Sequence, residues 1–302
     1  NMPATSIRDL VIKDDDVVIG THGRSFWILD NVTPLRQAAT ARAARDAYLF
    51  EPQAAWRVRW NMNTDTPLPP EEPAGENPPD GAMIDYWLKR PGSNVTLEIV
   101  DAAGALVRRY SSIDPPSYTV ESEASRVNFP SWWVQPPTML ASAQGLQRFV
   151  WDLHYAPPKA FSSSYPIAAI PGHTPRLPQG PWVPPGAYTV RLTAAGRTLE
   201  RALTVRMDPR VKTAPADLQQ QFDLSMSLYD AINRAHDSVE RLRASRGPAA
   251  ASPAETELAR LHGQMLSIYG ILQGADVKPT SQVVAAVARL RAAVDRALEP
   301  AR

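Results

Sequence analysis

The sequence has no cysteine, and this absence excludes disulfide bonds and thiolate metal sites. A formal net charge of +1 gives no strong electrostatic attraction toward nucleic acid or acidic membranes. No apolar run approaches the roughly 20 residues that a membrane-spanning helix requires. The composition therefore predicts neither a nucleic-acid partner nor a membrane span.

Patterns that carry chemistry are also scarce. The five histidines show no paired metal spacing: His22, His154, His173, His236 and His262. Asp152 and His154 alternate with inward strand positions and could hydrogen-bond, but one such pair without a nucleophile is weak evidence for catalysis. Asp14–Asp16 reads as a solvated turn rather than a calcium site. We predict no catalytic residue, no metal site and no cofactor.

Proline is abundant, with 30 residues, about twice the usual frequency. The chain has 302 residues, of which 44% are apolar, so it can bury sizeable cores. Its length predicts two or three domains, and the prolines mark the boundaries between them.

The segment from residue 6 to residue 30 predicts three short strands, Ile7–Ile12, Val17–Gly20 and Ser25–Leu29. Three strands without a further sheet cannot bury a face of their own. We therefore expect this chain to be the end of a larger protein, with the strands paired to a sheet elsewhere.

The wording "PATSIRDLVI…DDVVIGTHGRSFWILDN" resembles the final blade of bacterial sortilin-like propeller proteins, often labelled glycosyl hydrolases with BNR (Asp-box) repeats. The blade motif is matched by Val18, Gly20, Thr21, Gly23 and Trp27. Ser25, which is not part of these matches, stands where such motifs usually have glycine or another small residue.

The resemblance implies that residues 1–33 are the last propeller blade, with Phe26 or Trp27 packed between neighbouring blades. It implies a secreted or periplasmic bacterial protein whose partner is the remainder of the propeller, in the same protein or a separate chain. In the family, active-site residues lie in the upstream blades, and nothing matching them occurs in this sequence.

Residues 34–81 are expected to form a linker. Leu35–Ala47 predicts a short helix capped by Thr33, with Pro34 at its first position. Ala47–Trp60 reads as an extended segment lying against a domain surface. Residues 61–81 hold many prolines and acids, which predicts a loop or flexible linker.

Residues 82–210 alternate apolar and polar side chains, which is typical of a β-sandwich. The expected inward side chains are Ala82, Ile84, Tyr86, Leu88, Val95, Leu97, Ile99, Phe149, Trp151, Leu153, Tyr188, Val190 and Leu192. The wording "GLQRFVWDLHY…VPPGAYTVRLTAAGRTLERALTVRMDPR" resembles the immunoglobulin-like domain of the bacterial flagellar hook-capping protein. Such domains usually serve as spacers or docking modules, so the resemblance implies a non-catalytic role.

Two long proline- and serine-rich insertions, about 112–145 and 156–185, interrupt the sandwich. Loops of that length are uncommon unless they are functional or disordered. The aromatic side chains in them are Trp132, Trp133, Tyr165 and Trp182. They are candidates for a sugar-binding platform, or they cover apolar surface of the sandwich or propeller.

In residues 211–302 apolar side chains follow helical spacing in three stretches. Thr213 before Pro215, Ser252 before Pro253, and Thr280 or Ser281 are start signals. Three amphipathic helices with short connections predict an antiparallel three-helix bundle, with the apolar stripes forming its core.

The sequence thus predicts a multidomain chain, β then α: a partial β-propeller blade, an immunoglobulin-like β-sandwich and a C-terminal antiparallel three-helix bundle. The favoured function is a non-catalytic C-terminal portion of a large secreted propeller protein. The alternative is an accessory part of a glycoside hydrolase, in which loop aromatics of this chain bind carbohydrate.

Overall fold

The computed structural model describes residues 2–59, 75, 77–92, 94–166, 170–247 and 250–299. Mixed β-sheets come first and helices follow, so the predicted β-then-α order is confirmed in outline. The strands are β1 Ile7–Lys13, β2 Asp16–Thr21, β3 Phe26–Leu29, β4 Ala47–Leu49, β5 Ala55–Arg57, β6 Ala82–Leu88, β7 Thr96–Asp101, β8 Leu106–Ser111, β9 Gly145–Trp151, β10 Gly186–Ala194 and β11 Arg197–Met207. The helices are α1 Thr33–Arg36, α2 Ala38–Ala43, α3 Val120–Glu123, α4 Pro215–Arg246, α5 Pro253–Gln273 and α6 Ser281–Leu298.

Strands β1, β2 and β3 form an antiparallel sheet of their own, called the N-terminal sheet below. The three strands predicted in this segment are confirmed, each within one residue or so of its expected bounds. In the described part of the chain this sheet pairs with no other strand.

The helix expected over Leu35–Ala47 is instead two short helices, α1 and α2, that meet at Gln37. Val32 occupies the N-cap position, and Thr33 lies inside the first turn. Thr33 does not cap the helix because it is the first helical residue and not the N-cap; its hydroxyl donates to Oδ1 of Asn31 at 2.5 Å.

The extended segment after α2 becomes part of the sheets. β4 pairs with β6, and β5 pairs in parallel with β11. The expected loop or linker over residues 61–81 lies mostly outside the described residues.

Two sheets share one hydrophobic core. One has the order β5-β11-β10-β7-β8 and the other the order β4-β6-β9. All the side chains expected to point inward are buried in this core, so the alternation predicted for residues 82–210 is confirmed. Leu153, however, follows the end of β9 and has a positive φ of 59°.

The three C-terminal helices pack around a second core, in which Leu228, Ile232, Leu261, Met265 and Val287 are buried. Ser252 and Thr280 cap α5 and α6 as expected, by accepting from the backbone N–H three residues later. α4 differs, because its N-cap residue is Ala214. Within the described part of the chain, none of the helices combines the length and hydropathy of a membrane span.

Candidate interaction surface

The turn between β2 and β3 is fixed by hydrogen bonds of Thr21 and Trp27. The Thr21 hydroxyl donates to the Ser25 carbonyl at 2.6 Å and accepts from the Arg24 N–H at 3.2 Å. Trp27 Nε1 donates to the Arg24 carbonyl at 2.9 Å. Gly23 has a φ of +74°, a conformation that glycine adopts without steric cost.

Ser25 also has a positive φ, of 62°. This conformation costs a residue with a Cβ roughly 1–2 kcal/mol. A glycine would adopt this conformation at position 25 without that cost.

One face of the N-terminal sheet is apolar across all three strands. Leu10 lies opposite Ile19, which lies opposite Trp27. A second row on the same face, two residues further along each strand, consists of Ile12, Val17 and Leu29.

The opposite face carries an apolar row together with charged side chains, because Asp9 lies over Gly20 and Lys13 lies opposite Asp16 on this face. Val11, Val18 and Ile28 form a row across the strands. Phe26 shares this face and lies opposite Gly20. Phe26 is 76% exposed and Ile28 60% exposed.

A sheet with one face in water normally alternates apolar and polar side chains, whereas a strand that is apolar on both faces is typical of a sheet covered on both sides. The N-terminal sheet comes close to the second pattern, since each face has an apolar row across the three strands, yet Leu10, Ile12, Phe26 and Ile28 are exposed. These uncovered apolar rows are therefore the candidate interaction surface.

The sheet is attached to the two larger sheets by a polar cluster of Asn31, Asp85 and Arg148, called the clamp below, in which Asn31 and Asp85 are buried and Arg148 is partly exposed. Asn31 Nδ2 donates to Oδ2 of Asp85 at 2.9 Å. Arg148 Nε donates to the other oxygen of Asp85 at 2.8 Å, and its Nη2 donates to Oδ2 at 3.1 Å. Because Asp85 is 2% exposed, these partners supply the hydrogen bonds that burial takes from it.

Further bonds orient the sheet. Asp15 accepts an ion-pair hydrogen bond from Arg36, and the Asp15 carbonyl accepts from the Val32 N–H at 2.6 Å. The Asn31 N–H donates to Oδ1 of Asp16 at 2.9 Å.

Sequence reasoning missed the clamp. The sequence holds one hint of the clamp: the charged residue Asp85 lies at an outward position of the otherwise apolar strand AMIDYWL. Asp85 lies directly opposite Arg148 in the register of β6 and β9. The sequence does not show which strands pair, so it could not show that these two charges lie together.

Three of the aromatic residues proposed for binding lie together. Phe129 stacks on Trp133 with ring centroids 6.3 Å apart and meets Tyr165 edge-on at 5.7 Å. Trp132 meets Trp133 edge-on at 5.7 Å and is 56% exposed. The Tyr165 hydroxyl donates to the buried Glu123 at 2.6 Å.

Trp182 lies in different surroundings. Its ring contacts His154, with centroids 3.9 Å apart, and the guanidinium carbon of Arg59 lies 4.9 Å from its centroid. Its backbone N–H donates to Gln273 of α5. Trp182 therefore packs between the sheets and the helices.

Asp152 and His154 contact each other mainly through the backbone. Nδ1 of His154 lies 2.6 Å from the Asp152 carbonyl oxygen, and its distance to the Asp152 carboxylate is 3.9 Å. Ser163 of the nearby serine run instead accepts a hydrogen bond from Arg126. Among the described residues, no group of three His, Asp or Glu side chains is arranged to hold a metal ion.

Comparison of this chain with models of protein families, with curated proteins and with solved structures finds no match. Function is therefore inferred from the residues and their geometry.

Proposed function

We propose that this chain is a non-catalytic module that closes a β-propeller, with the N-terminal sheet as the closing blade. The observation that carries the proposal is that each face of that sheet has an apolar row across all three strands, together with the exposure of Phe26 and Ile28. Propeller blades are packed face to face against two neighbours, so each blade needs two apolar faces.

The proposed occupants of the two faces are sheets of neighbouring blades, in the same protein or in a separate chain. Blades typically have four strands, and the N-terminal sheet supplies three. An open edge strand offers unpaired backbone groups that a fourth strand would satisfy. Met2 and the apolar residues of β1 would then be covered rather than exposed.

The clamp and the Asp15–Arg36 pair support the proposal, because they hold the sheet in a fixed direction relative to the sandwich. In this proposal the two sheets of residues 47–208 form an immunoglobulin-like spacer, and α4–α6 form a three-helix bundle beyond it. The resemblance further supports a bacterial protein that works outside the cytoplasm.

Hydroxyl-radical footprinting, read by mass spectrometry, tests the closing-blade role. The 302-residue chain by itself would be compared with the natural protein purified from its source. We expect Leu10, Ile12, Phe26 and Ile28 to be oxidised in the first sample and protected in the second. Ile113, which is exposed and lies outside the sheet, is the matched control and should react equally in both.

Equal oxidation of Phe26 and Ile28 in the two samples would contradict the proposal. Protection of only one face would contradict it too, since a closing blade has a neighbour on each side.

A second function is favoured by the exposure of Trp132 above the packed pair Phe129 and Trp133. Here the chain would bind carbohydrate through Trp132, as an accessory part of a glycoside hydrolase. Retention on insoluble polysaccharides tests this alternative. Trp132→Ala should abolish retention without lowering the melting temperature, and unchanged retention would exclude the role.

A further inference from the structure

A cleft of about 540 Å³ lies between the sandwich and the two long loops, on a different part of the molecule from the N-terminal sheet. β8 forms its floor, and residues 114–118, 135–140, 157–163 and 176–180 form its walls. The volume lies within the range of small-molecule sites, roughly 300–1,000 Å³.

The charges in this cleft are unbalanced. Its lining includes four arginines and two aspartates, namely Arg108, Arg109, Arg126, Arg176, Asp114 and Asp152. The whole chain, by contrast, is close to neutral. The excess of positive charge is therefore a property of the cleft.

Two of the guanidinium groups bond to neutral oxygens. Arg108 donates to the Tyr155 carbonyl at 2.7 Å, and Arg126 donates to the Ser163 hydroxyl at 3.2 Å. Among the described residues, neither has a carboxylate within ion-pair distance. Since a guanidinium has five N–H donors, both retain donors for a further acceptor.

The other two arginines have acidic neighbours. Arg109 lies 3.8 Å from Asp114, and both side chains are about half exposed. Arg176 lies 3.6 Å from the buried Glu123. Arg108 and Arg126 are therefore the arginines without an acidic partner among the described residues, and with Asp152 also in the lining the cleft keeps a small excess of positive charge.

Aromatic rings hold part of this cationic surface in place. The guanidinium of Arg108 lies 5.1 Å from the Tyr110 ring centroid, and that of Arg176 lies 5.2 Å from the Tyr118 ring centroid. Stacking of this kind restricts the side chains, so less entropy is lost when they bind a ligand. The rings and the proline-rich walls also offer apolar area to the body of a ring-shaped molecule.

We propose that this cleft binds a sugar-sized organic molecule that carries an oxyanion, a carboxylate or a phosphate, between Arg108 and Arg126. Guanidinium groups match both oxyanions by paired N–H donors. The proposal does not depend on the closing-blade role, because it uses none of the residues of the N-terminal sheet.

Isothermal titration of the 302-residue chain tests it, with galacturonate and glucose 6-phosphate as probes. Galactose and glucose are the matched neutral sugars. We expect saturable binding of at least one acid and none of its neutral counterpart. Binding of galacturonate would indicate a carboxylate ligand, and binding of glucose 6-phosphate would indicate a phosphate ligand.

Arg126→Gln and Arg108→Gln should each weaken binding about tenfold or more, since each removes charged hydrogen bonds. The control is Arg197→Gln, an exposed arginine at the β10–β11 turn, which should leave the affinity unchanged. Circular dichroism verifies that each variant folds. If Arg108→Gln does not fold, the exposed Arg126 decides the question.

Three results would overturn the proposal. One is failure of both acids to saturate, and the second is equal binding of the neutral sugars. The third is an Arg126→Gln affinity equal to that of the unaltered chain.

Discussion

At the scale of single residues, the fold changes the chemistry of His154 by burying it. The side chain is 3% exposed and lies against the Trp182 ring. Burial lowers the pKa of His154 from its ordinary value of 6.5 to about 4, with Arg59 and Arg57 contributing in the same direction. The nearby Asp152 raises the pKa but does not outweigh burial.

This shift predicts a pH dependence of stability. Between pH 6.5 and pH 4 the unfolded chain binds a proton at His154 that the folded chain does not. The contribution of the neutral imidazole is therefore fully present above pH 6.5 and is lost as the pH falls toward 4. From pH 7 to pH 4.5 the loss should be roughly 2–3 kcal/mol in the free energy of unfolding.

Urea unfolding of the unaltered chain and of His154→Gln over this pH range measures the effect. The variant should lose less stability than the unaltered chain, by about that amount. His173→Gln, at an exposed histidine, is the control and should follow the unaltered chain. Parallel profiles for the unaltered chain and His154→Gln would contradict the prediction.

At the scale of elements, the starts of α4 and α5 offer a matched comparison. Ala214-Pro215-Ala216-Asp217 begins α4, and Ser252-Pro253-Ala254-Glu255 begins α5. Both N-cap residues have extended backbone, with φ and ψ of −61° and 144° for Ala214 and of −72° and 157° for Ser252. Only Ser252 has a side chain that can accept from the third residue of its helix.

The comparison predicts opposite effects of two substitutions. Ala214→Ser should raise the free energy of unfolding by less than about 1 kcal/mol, because its hydroxyl would share the Asp217 N–H, which already donates to the Ala214 carbonyl at 3.0 Å. Ser252→Ala should lower it by about 1 kcal/mol. Chemical denaturation measures both, and a neutral Ala214→Ser variant would show that α4 gains nothing from a cap.

Helix starts also show how far sequence reasoning reaches. The pattern of period two predicted the strands of the sheets, and helical spacing predicted α4–α6, because both patterns are local. Thr213 was expected to begin α4, but its hydroxyl donates instead to the carbonyl of Asp276, 63 residues away. A local pattern carries no information about such a partner.

The same limit explains what was missed in the candidate sites. The apolar strands of the N-terminal sheet could be recognised in the sequence, because successive side chains of a strand point to opposite faces and the sequence therefore shows the composition of both. The clamp requires the register of β6 and β9, and the cleft requires the folding of two long loops over β8. The short helix α3 inside one loop was also missed, because four residues are too few to establish a helical period.

At the scale of the whole molecule, a buried ionic cluster joins the sheets to the helices. Asp276, in the connection between α5 and α6, accepts a hydrogen bond from Arg57 of β5. Nε of Arg59 lies 2.8 Å from the same carboxylate. The side chains of Arg57 and Asp276 are 5% and 4% exposed, so the pair is shielded from water.

Loop contacts add to this connection. Phe161 stacks on His236 of α4 and contacts His262 of α5 at a tilt, with ring centroids 4.5 and 4.6 Å away. Lys159 forms an ion pair with Asp237 at 2.7 Å. The two hydrophobic cores are thus separate, but polar and aromatic contacts couple them.

This arrangement predicts that Asp276→Ala uncouples the two cores. Without the carboxylate, Arg57 and Arg59 face each other unpaired, and burial already lowers the pKa of Arg57. Removing one partner of a buried ion pair costs about 3–5 kcal/mol. In scanning calorimetry we expect one transition for the unaltered chain and two for the variant, with the helices and sheets melting separately.

The control is Asp295→Ala, which removes an exposed ion pair between Asp295 of α6 and Arg234 of α4. This variant should keep a single transition near the original temperature. An Asp276→Ala trace that matches the Asp295→Ala trace would show that the cluster does not couple the cores.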